Sequence, residues 1–175
     1  LTSRGEFTGL QGLAVASNLP SHIPQRISGR ANNLLREAGL PPRVEPLRAS
    51  GPSDGAGVFI ALAYEHVMAG FTGLGRPGKP SDQVASEAVE PLIRYYRGTA
   101  ALDPYLPDQL LPALMLAAGP SLLSTVEITL HTLTNIAVVQ HFVKRHVDVE
   151  GLKGQPGFIR IDAIGPDLPP PGPNI

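Results

Sequence analysis

Cysteine is absent from this 175-residue chain. That excludes disulfides, thiolate metal sites and cysteine nucleophiles, and is compatible with a reducing compartment. Long apolar runs are absent too. The longest, Leu110–Gly119, contains Pro112 and falls short of the roughly 20 residues of a membrane helix, so no membrane partner is expected. No secretory signal stands at the start, because Leu1–Phe7 is polar and mixed in charge. The first residue is Leu1 and not Met, so the chain is expected to be a piece of a longer protein. Excess charge of either sign is lacking: 14 Lys and Arg stand against 15 Asp and Glu, for a net charge of -1. A chain so balanced does not hold nucleic acid mainly by overall charge, and any such contact must be local.

Hydrophobic residues make up 42% and charged residues 17%, enough to bury a real core. Glycine and proline number 19 each, and most punctuate periodic segments. The exception is the end, 165–175, where Pro166, Pro169, Pro170, Pro171 and Pro173 predict an extended, mobile tail.

The pattern predicts an α+β chain. Phe7–Ala16 reads as a strand, and Ser21 opens a helix to about Ala38 that Gly39, Pro41 and Pro42 end. Val44–Leu47 reads as a short edge strand, given Pro46. Val58–Val67 alternates as a strand that continues into a second near Met68–Phe71. A glycine-rich loop then leads into a helix over Ser81–Tyr96, with a kink expected at Pro91. The order β-α-β-β-α makes residues 1–98 a small first domain. From Thr99 the expected order is α-β-α-β-β. Asp103 and Pro104 start a helix that Gly119 and Pro120 end. A strand over Ser124–Leu130, a helix over Thr132–Lys144, and strands at His146–Val149 and Phe158–Ile161 follow. Residues 99–164 form the second domain.

Two short stretches carry candidate chemistry. In Thr125–Asn135 (TVEITLHTLTN), alternation predicts Val126, Ile128 and Leu130 facing a core. Thr125, Glu127, Thr129 and His131 then face away, with Thr132 or Thr134 capping the next helix. His131 would stand at a strand-to-helix junction, where free N–H groups attract phosphate. A neutral imidazole nitrogen there can attack phosphorus; a capping or surface histidine fits the same pattern. The second stretch is Tyr105–Gln109 (YLPDQ). Asp108 and Gln109 interrupt an apolar helix, and Pro112 denies the Asp108 carbonyl its helical donor. A solvated helix edge reads equally well.

Other signals point elsewhere. Gly73–Lys79 matches the first seven positions of a phosphate-binding P-loop, but Pro80 stands where Ser or Thr must hold magnesium. That segment is read as a surface connector. His22, His66, His141 and His146 show no metal spacing, so no metal ligands are assigned. Tyr95 and Tyr96, beside Arg94 and Arg97, could stack on a base, though packing explains them better.

Taken together, SDQVASEAVEPLIRYYRGTAALDPYLPDQLLPALMLAAG, then STVEITLHTLTNIAVVQHFV, and earlier RGEFTGLQGLAVASNLPSHIPQR resemble the C-terminal half of the RNA 3'-terminal-phosphate cyclase family. The resemblance spans Ser3–Ile164, and its most specific parts are Tyr105–Gln109 followed by His131–Asn135. It implies that residues 1–98 are the family's inserted small domain, and 99–164 the last unit of a larger domain of repeated units. It implies a ligase-class, cytoplasmic RNA-processing enzyme that turns an RNA 3'-phosphate into a 2',3'-cyclic phosphate. The histidine at His131 would take AMP from ATP, and Tyr105, Leu106, Pro107, Asp108 and Gln109 would bind ATP. Magnesium or manganese would assist. The partners implied are RNA with a 3'-phosphate end and the missing N-terminal half of the same protein, without which this fragment should be inactive. Non-catalytic relatives acting as ribosome-assembly scaffolds are the alternative, but they lack the nucleophilic histidine. Pro107 departs from the small residue usual in the family motif.

Overall fold

The computed structural model describes residues 1–163; the Pro-rich segment 165–175 lies outside the described residues. The chain is mixed α+β and divides into two compact units, Gly5–Arg97 and a second made of Leu1–Arg4 with the residues from Gly98 onward. Among the described residues no helix is long and apolar enough to cross a membrane.

The Gly5–Arg97 unit runs β1 (Phe7–Ser17), α1 (His22–Glu37), β2 (Val44–Ala49), β3 (Gly55–Tyr64), β4 (Met68–Leu74) and α2 (Ser81–Arg97). All four segments read as strands form, with Val44–Leu47 lengthened to Ala49 as the ladder partner of β1, so the order is β-α-β-β-β-α where β-α-β-β-α was expected. The sheet order is β2-β1-β3-β4. Strands β1 and β2 are parallel and the other neighbours antiparallel. A parallel pair needs a long crossover, and α1 supplies it. The expected long strand Val58–Val67 instead ends at Tyr64. The chain turns there, with the Tyr64 amide donating to the Val67 carbonyl at 2.9 Å.

Period-two alternation puts Leu10, Ala14, Val58, Ile60, Leu62 and Phe71 on one sheet face, all buried. Ile27, Ala31 and Leu35 of α1, and Val84, Ala88, Leu92 and Tyr95 of α2, close over that face. Each fully buried Leu or Ile contributes roughly 1.5–3 kcal/mol of burial free energy. Helix α1 ends in a Schellman motif. Gly39 has φ +76°, its amide donates to the Arg36 carbonyl, and the Leu40 amide donates to the Leu35 carbonyl at 2.9 Å. Gly73 lets α2 approach: a Cβ there would stand 2.0 Å from the Val84 carbonyl oxygen.

The second unit runs α3 (Leu106–Leu116), β5 (Ser121–Thr125), α4 (Leu130–Gln140), β6 (Val147–Glu150) and β7 (Gly157–Ile161), the α-β-α-β-β order expected. Its three strands lie in the order β5-β7-β6, all antiparallel. Residues Leu1 and Thr2 join it, accepting hydrogen bonds from the Ser124 amide (3.1 Å) and hydroxyl (3.0 Å).

The segment 121–131 departs from expectation. The strand is Ser121–Thr125, and it stops where alternation would have carried it to Leu130. Thr125 is fully buried and Leu130 is 62% exposed, the reverse of the expected facing. The cause is local polar bonding. The Thr125 hydroxyl donates to the Asp103 carbonyl at 3.1 Å and accepts from the Glu127 amide at 3.4 Å, so the chain leaves the sheet. Thr129, neither Thr132 nor Thr134, caps α4, accepting from the Thr132 amide at 3.1 Å. The helix therefore starts two residues before the expected Thr132.

Candidate active site

The candidate residues sit on the first turns of two packed helices. Leu102 bridges Thr125 in the parallel sense. The Leu102 amide donates to the Ser124 carbonyl at 2.9 Å, and the Val126 amide to the Leu102 carbonyl at 3.0 Å. The Ala101 amide also donates to the Ser124 hydroxyl at 2.8 Å. Two segments thus run side by side in one direction. One enters α3 at Leu106 and the other enters α4 at Leu130, and the two helices pack together. Tyr105–Gln109 and His131 both belong to these helix starts, where unpaired N–H groups and the positive dipole end favour anions.

Asp103 shapes the first start. Its Oδ1 accepts from the Tyr105 amide at 2.8 Å and from the Leu106 amide at 3.1 Å. It forms an Asx turn two residues ahead of the N-cap Tyr105, where the sequence pattern had Asp103 itself starting the helix. Pro107 lies buried in the first turn, where a missing N–H costs little. Leu106 is half-buried, Tyr105 is 67% exposed, Asp108 is half-buried and Gln109 is exposed. Pro112 stands inside α3 and leaves the Asp108 carbonyl without a helical donor.

His131 is exposed on the first turn of α4. Its neighbour Thr132 is fully buried, with its hydroxyl 3.0 Å from that of Thr129. Thr132 thus anchors the turn inward while His131 projects outward. A cleft of about 230 Å³ in this unit is lined by Thr2, Thr99, Ser124, Glu150 and Phe158 among others. Thr125 lines it, while His131 and Tyr105–Gln109 do not. Among the described residues no group of three His, Asp or Glu side chains could hold a metal ion.

Arg145 was missed. In the sequence it stands with Lys144 and His146 at the C-terminal end of the last helix, where a cation is favoured, but it is 6% exposed. Its guanidinium donates to the Leu114 and Ala117 carbonyls at 2.7 and 2.6 Å, and also to those of Gly119 and Asp162. It serves the end of α3, not of α4. Only its place in a run of basic residues was visible in the sequence.

The remaining candidates resolve as structure. Lys79 of the near-miss P-loop pairs with Glu87 and donates to the Leu74 carbonyl at 2.7 Å, with its side chain 8% exposed. It is therefore tied down as a connector residue. Tyr95 packs on Phe71 and Tyr64, and Tyr96 on Phe7.

A family model described as "RNA 3'-terminal phosphate cyclase (RTC), insert domain" matches residues 2–97. Over 149 residues the chain is 42% identical to the RNA 3'-terminal phosphate cyclase of Gloeothece citriformis, covering 85% of this chain and 43% of that protein. It is 41% identical over 158 residues to the Methylococcus capsulatus cyclase, covering 90% and 44%. It is 37% identical over 153 residues to that of Thermococcus gammatolerans, covering 86% and 43%. The chain therefore spans less than half the length of these relatives.

Proposed function

The chain belongs to the RNA 3'-terminal phosphate cyclase family, and from that premise we propose that it forms part of an ATP-dependent, cytoplasmic RNA-end-modifying enzyme in which His131 is the nucleophile. In this reading a ring nitrogen of His131 attacks the α-phosphorus of ATP and pyrophosphate leaves, giving a histidine–AMP bond. An oxygen of the RNA 3'-phosphate then displaces the imidazole and takes the AMP. The neighbouring ribose 2'-hydroxyl attacks that activated phosphorus, loses its proton and expels AMP, closing the 2',3'-cyclic phosphate.

The residues divide the work. The Tyr105–Gln109 turn, with the freed Asp108 carbonyl and carboxylate, holds the nucleoside end. The amides that open α4 face the phosphates. Magnesium or manganese is the expected companion of the nucleotide phosphates. The described residues form no cluster for it, so no step is derived through it.

One observation carries the proposal: His131 is exposed on a helix start packed beside the helix that Tyr105–Gln109 opens. A buried histidine, or one on an unrelated face, could not take up a nucleotide there. The histidine also favours the enzyme over a cyclase-like scaffold. The test is incubation of the full-length protein with α-labelled ATP. A covalent label that His131→Ala abolishes is expected, and an intact full-length protein that takes no label would refute the assignment.

A further inference from the structure

The proposed reaction needs an RNA-binding surface, yet the chain's charge is balanced, so such a surface must be local. Positive charge is in fact unevenly placed. Between His22 and Arg48 lie five arginines, no lysine and two carboxylates, in a chain of net charge -1.

The fold gathers most of that charge on one side. Helix α1 buries Pro24, Ile27, Ser28, Ala31 and Leu35. At 100° per residue the opposite face carries His22, Arg26, Arg30, Asn33 and Arg36, with Glu37 as its acidic member. Strand β2 turns Val44 toward the helix, and period two puts Arg48 on that same side and Glu45 on the other. The Arg48 Nε donates to the Leu19 carbonyl at 3.0 Å, which fixes it beside the entry to α1.

Side-chain hydrogen bonds tie the helix to the strand. The Ser28 hydroxyl and the Asn32 amide both donate to the Val44 carbonyl, at 2.6 and 2.9 Å, and the Val44 amide donates to Asn32 Oδ1 at 2.9 Å. Helix and edge strand are thus riveted together. Structural arginines usually find carboxylates, but the ion pairs found among the described residues are Lys79–Glu87 and Arg160–Glu150. Among the described residues none of Arg26, Arg30, Arg36 and Arg48 is in an ion pair; Arg36 Nη1 donates to Asn33 Oδ1 at 2.8 Å.

Building on the cyclase reading, we infer that this arginine ridge, Arg26, Arg30, Arg36 and Arg48, is a docking surface for the sugar–phosphate backbone of the RNA substrate. Arginine presents a planar fork that matches phosphate oxygens, and it is the residue expected where phosphate geometry matters. From Arg26 to Arg36 the helix rises about 15 Å, the length of about four stacked nucleotides at roughly 3.4 Å each. The open face of the same sheet, with exposed Phe59 and Leu13, lacks such a concentration of charge.

The test is fluorescence anisotropy of a labelled, 3'-phosphorylated single-stranded 20-mer with the full-length protein, between 50 and 250 mM potassium chloride. Neutralising R26Q/R30Q/R48Q should weaken binding at least tenfold at low salt. It should also lower the slope of log affinity against log salt by about two, since each neutralised phosphate contact contributes roughly 0.7 on single strands. The charge-keeping R26K/R30K/R48K set should restore most of the slope, which separates lost charge from lost folding. The equally basic control R76Q/R94Q/R97Q should stay within threefold of the parent. Unchanged affinity and slope in the glutamine triple, as expected if the ridge takes an acidic protein instead, would overturn the inference. An equal loss in the control would do the same. Self-adenylation of the parent with ATP alone is measured on the same preparation. Its failure would count against the reaction, while the RNA titration would still decide the ridge.

Discussion

Replacing Arg145 by methionine should loosen the second unit while sparing the first. The guanidinium is almost completely buried and holds four carbonyls, those of Leu114, Ala117, Gly119 and Asp162. It joins the end of α3 to the segment after β7. A hydrogen bond to a charged group contributes about 1.5–3 kcal/mol, but the four share one side chain and some carbonyls would regain water. A net loss of about 3 kcal/mol is therefore expected, at the lower end of what breaking a buried charged contact costs. Lysine offers three donors and no fork, so Arg145→Lys should recover only part of this loss, roughly 1 kcal/mol. Hydrogen exchange read by mass spectrometry resolves the two units. At about 1.4 kcal/mol per tenfold, peptides from α3 and β7 should lose protection by a factor on the order of 100. Peptides from β1 and β3 should not change. Protection of α3 and β7 within twofold of the parent in Arg145→Met would show that the four contacts carry no net stability.

Gly73→Ala should lower the melting temperature of the Gly5–Arg97 unit by several degrees or prevent its folding. The new Cβ would stand 2.0 Å from a backbone oxygen of α2, and overpacking costs about 1–3 kcal/mol or more; circular dichroism on heating reads it. Thr129→Ala should cost about 1 kcal/mol in urea unfolding through loss of the α4 cap, and Thr129→Ser should recover most of it. Lys79→Ala should leave labelling by α-phosphate-labelled ATP within twofold of the parent, because Lys79 is tied to Glu87 and Leu74; a loss of labelling would revive the P-loop reading. The 175 residues alone should give little or no cyclised RNA in a chromatographic assay, since they span less than half the length of their relatives.

Much of the larger unit was legible because its alternation and helical periods are carried by apolar residues. Val58, Ile60 and Leu62 alternate and are buried as alternation requires. Ile27 and Leu35 share the buried face of α1, and Gly39 ends that helix. The second unit was harder around Thr125. There threonines occupied the alternating positions, and threonine serves equally as a solvent-facing strand residue or as a backbone-bonding corner. In TVEITLH the hydroxyls of Thr125 and Thr129 bond to backbone. The strand therefore ended five residues early, before Val126, and His131 moved from a strand end into a helical turn.

By itself, the sequence determined the mixed α+β class, the order of elements in the second unit and all but one strand of the order in the first, and the two short motifs that single out Tyr105–Gln109 and His131. These are local properties: period, capping chemistry and residue type act within a few neighbours along the chain. Only the tertiary structure decided that the two motifs open neighbouring helices, because that depends on Leu102 lying parallel to Thr125, a pairing between residues far apart in sequence. It alone showed that Arg145, one of three basic residues at a helix end, is a buried clasp, since its partners are carbonyls that other segments bring within reach. It alone gathered Arg26, Arg30, Arg36 and Arg48 onto one side, because a helix and a strand present a common face only once they are packed.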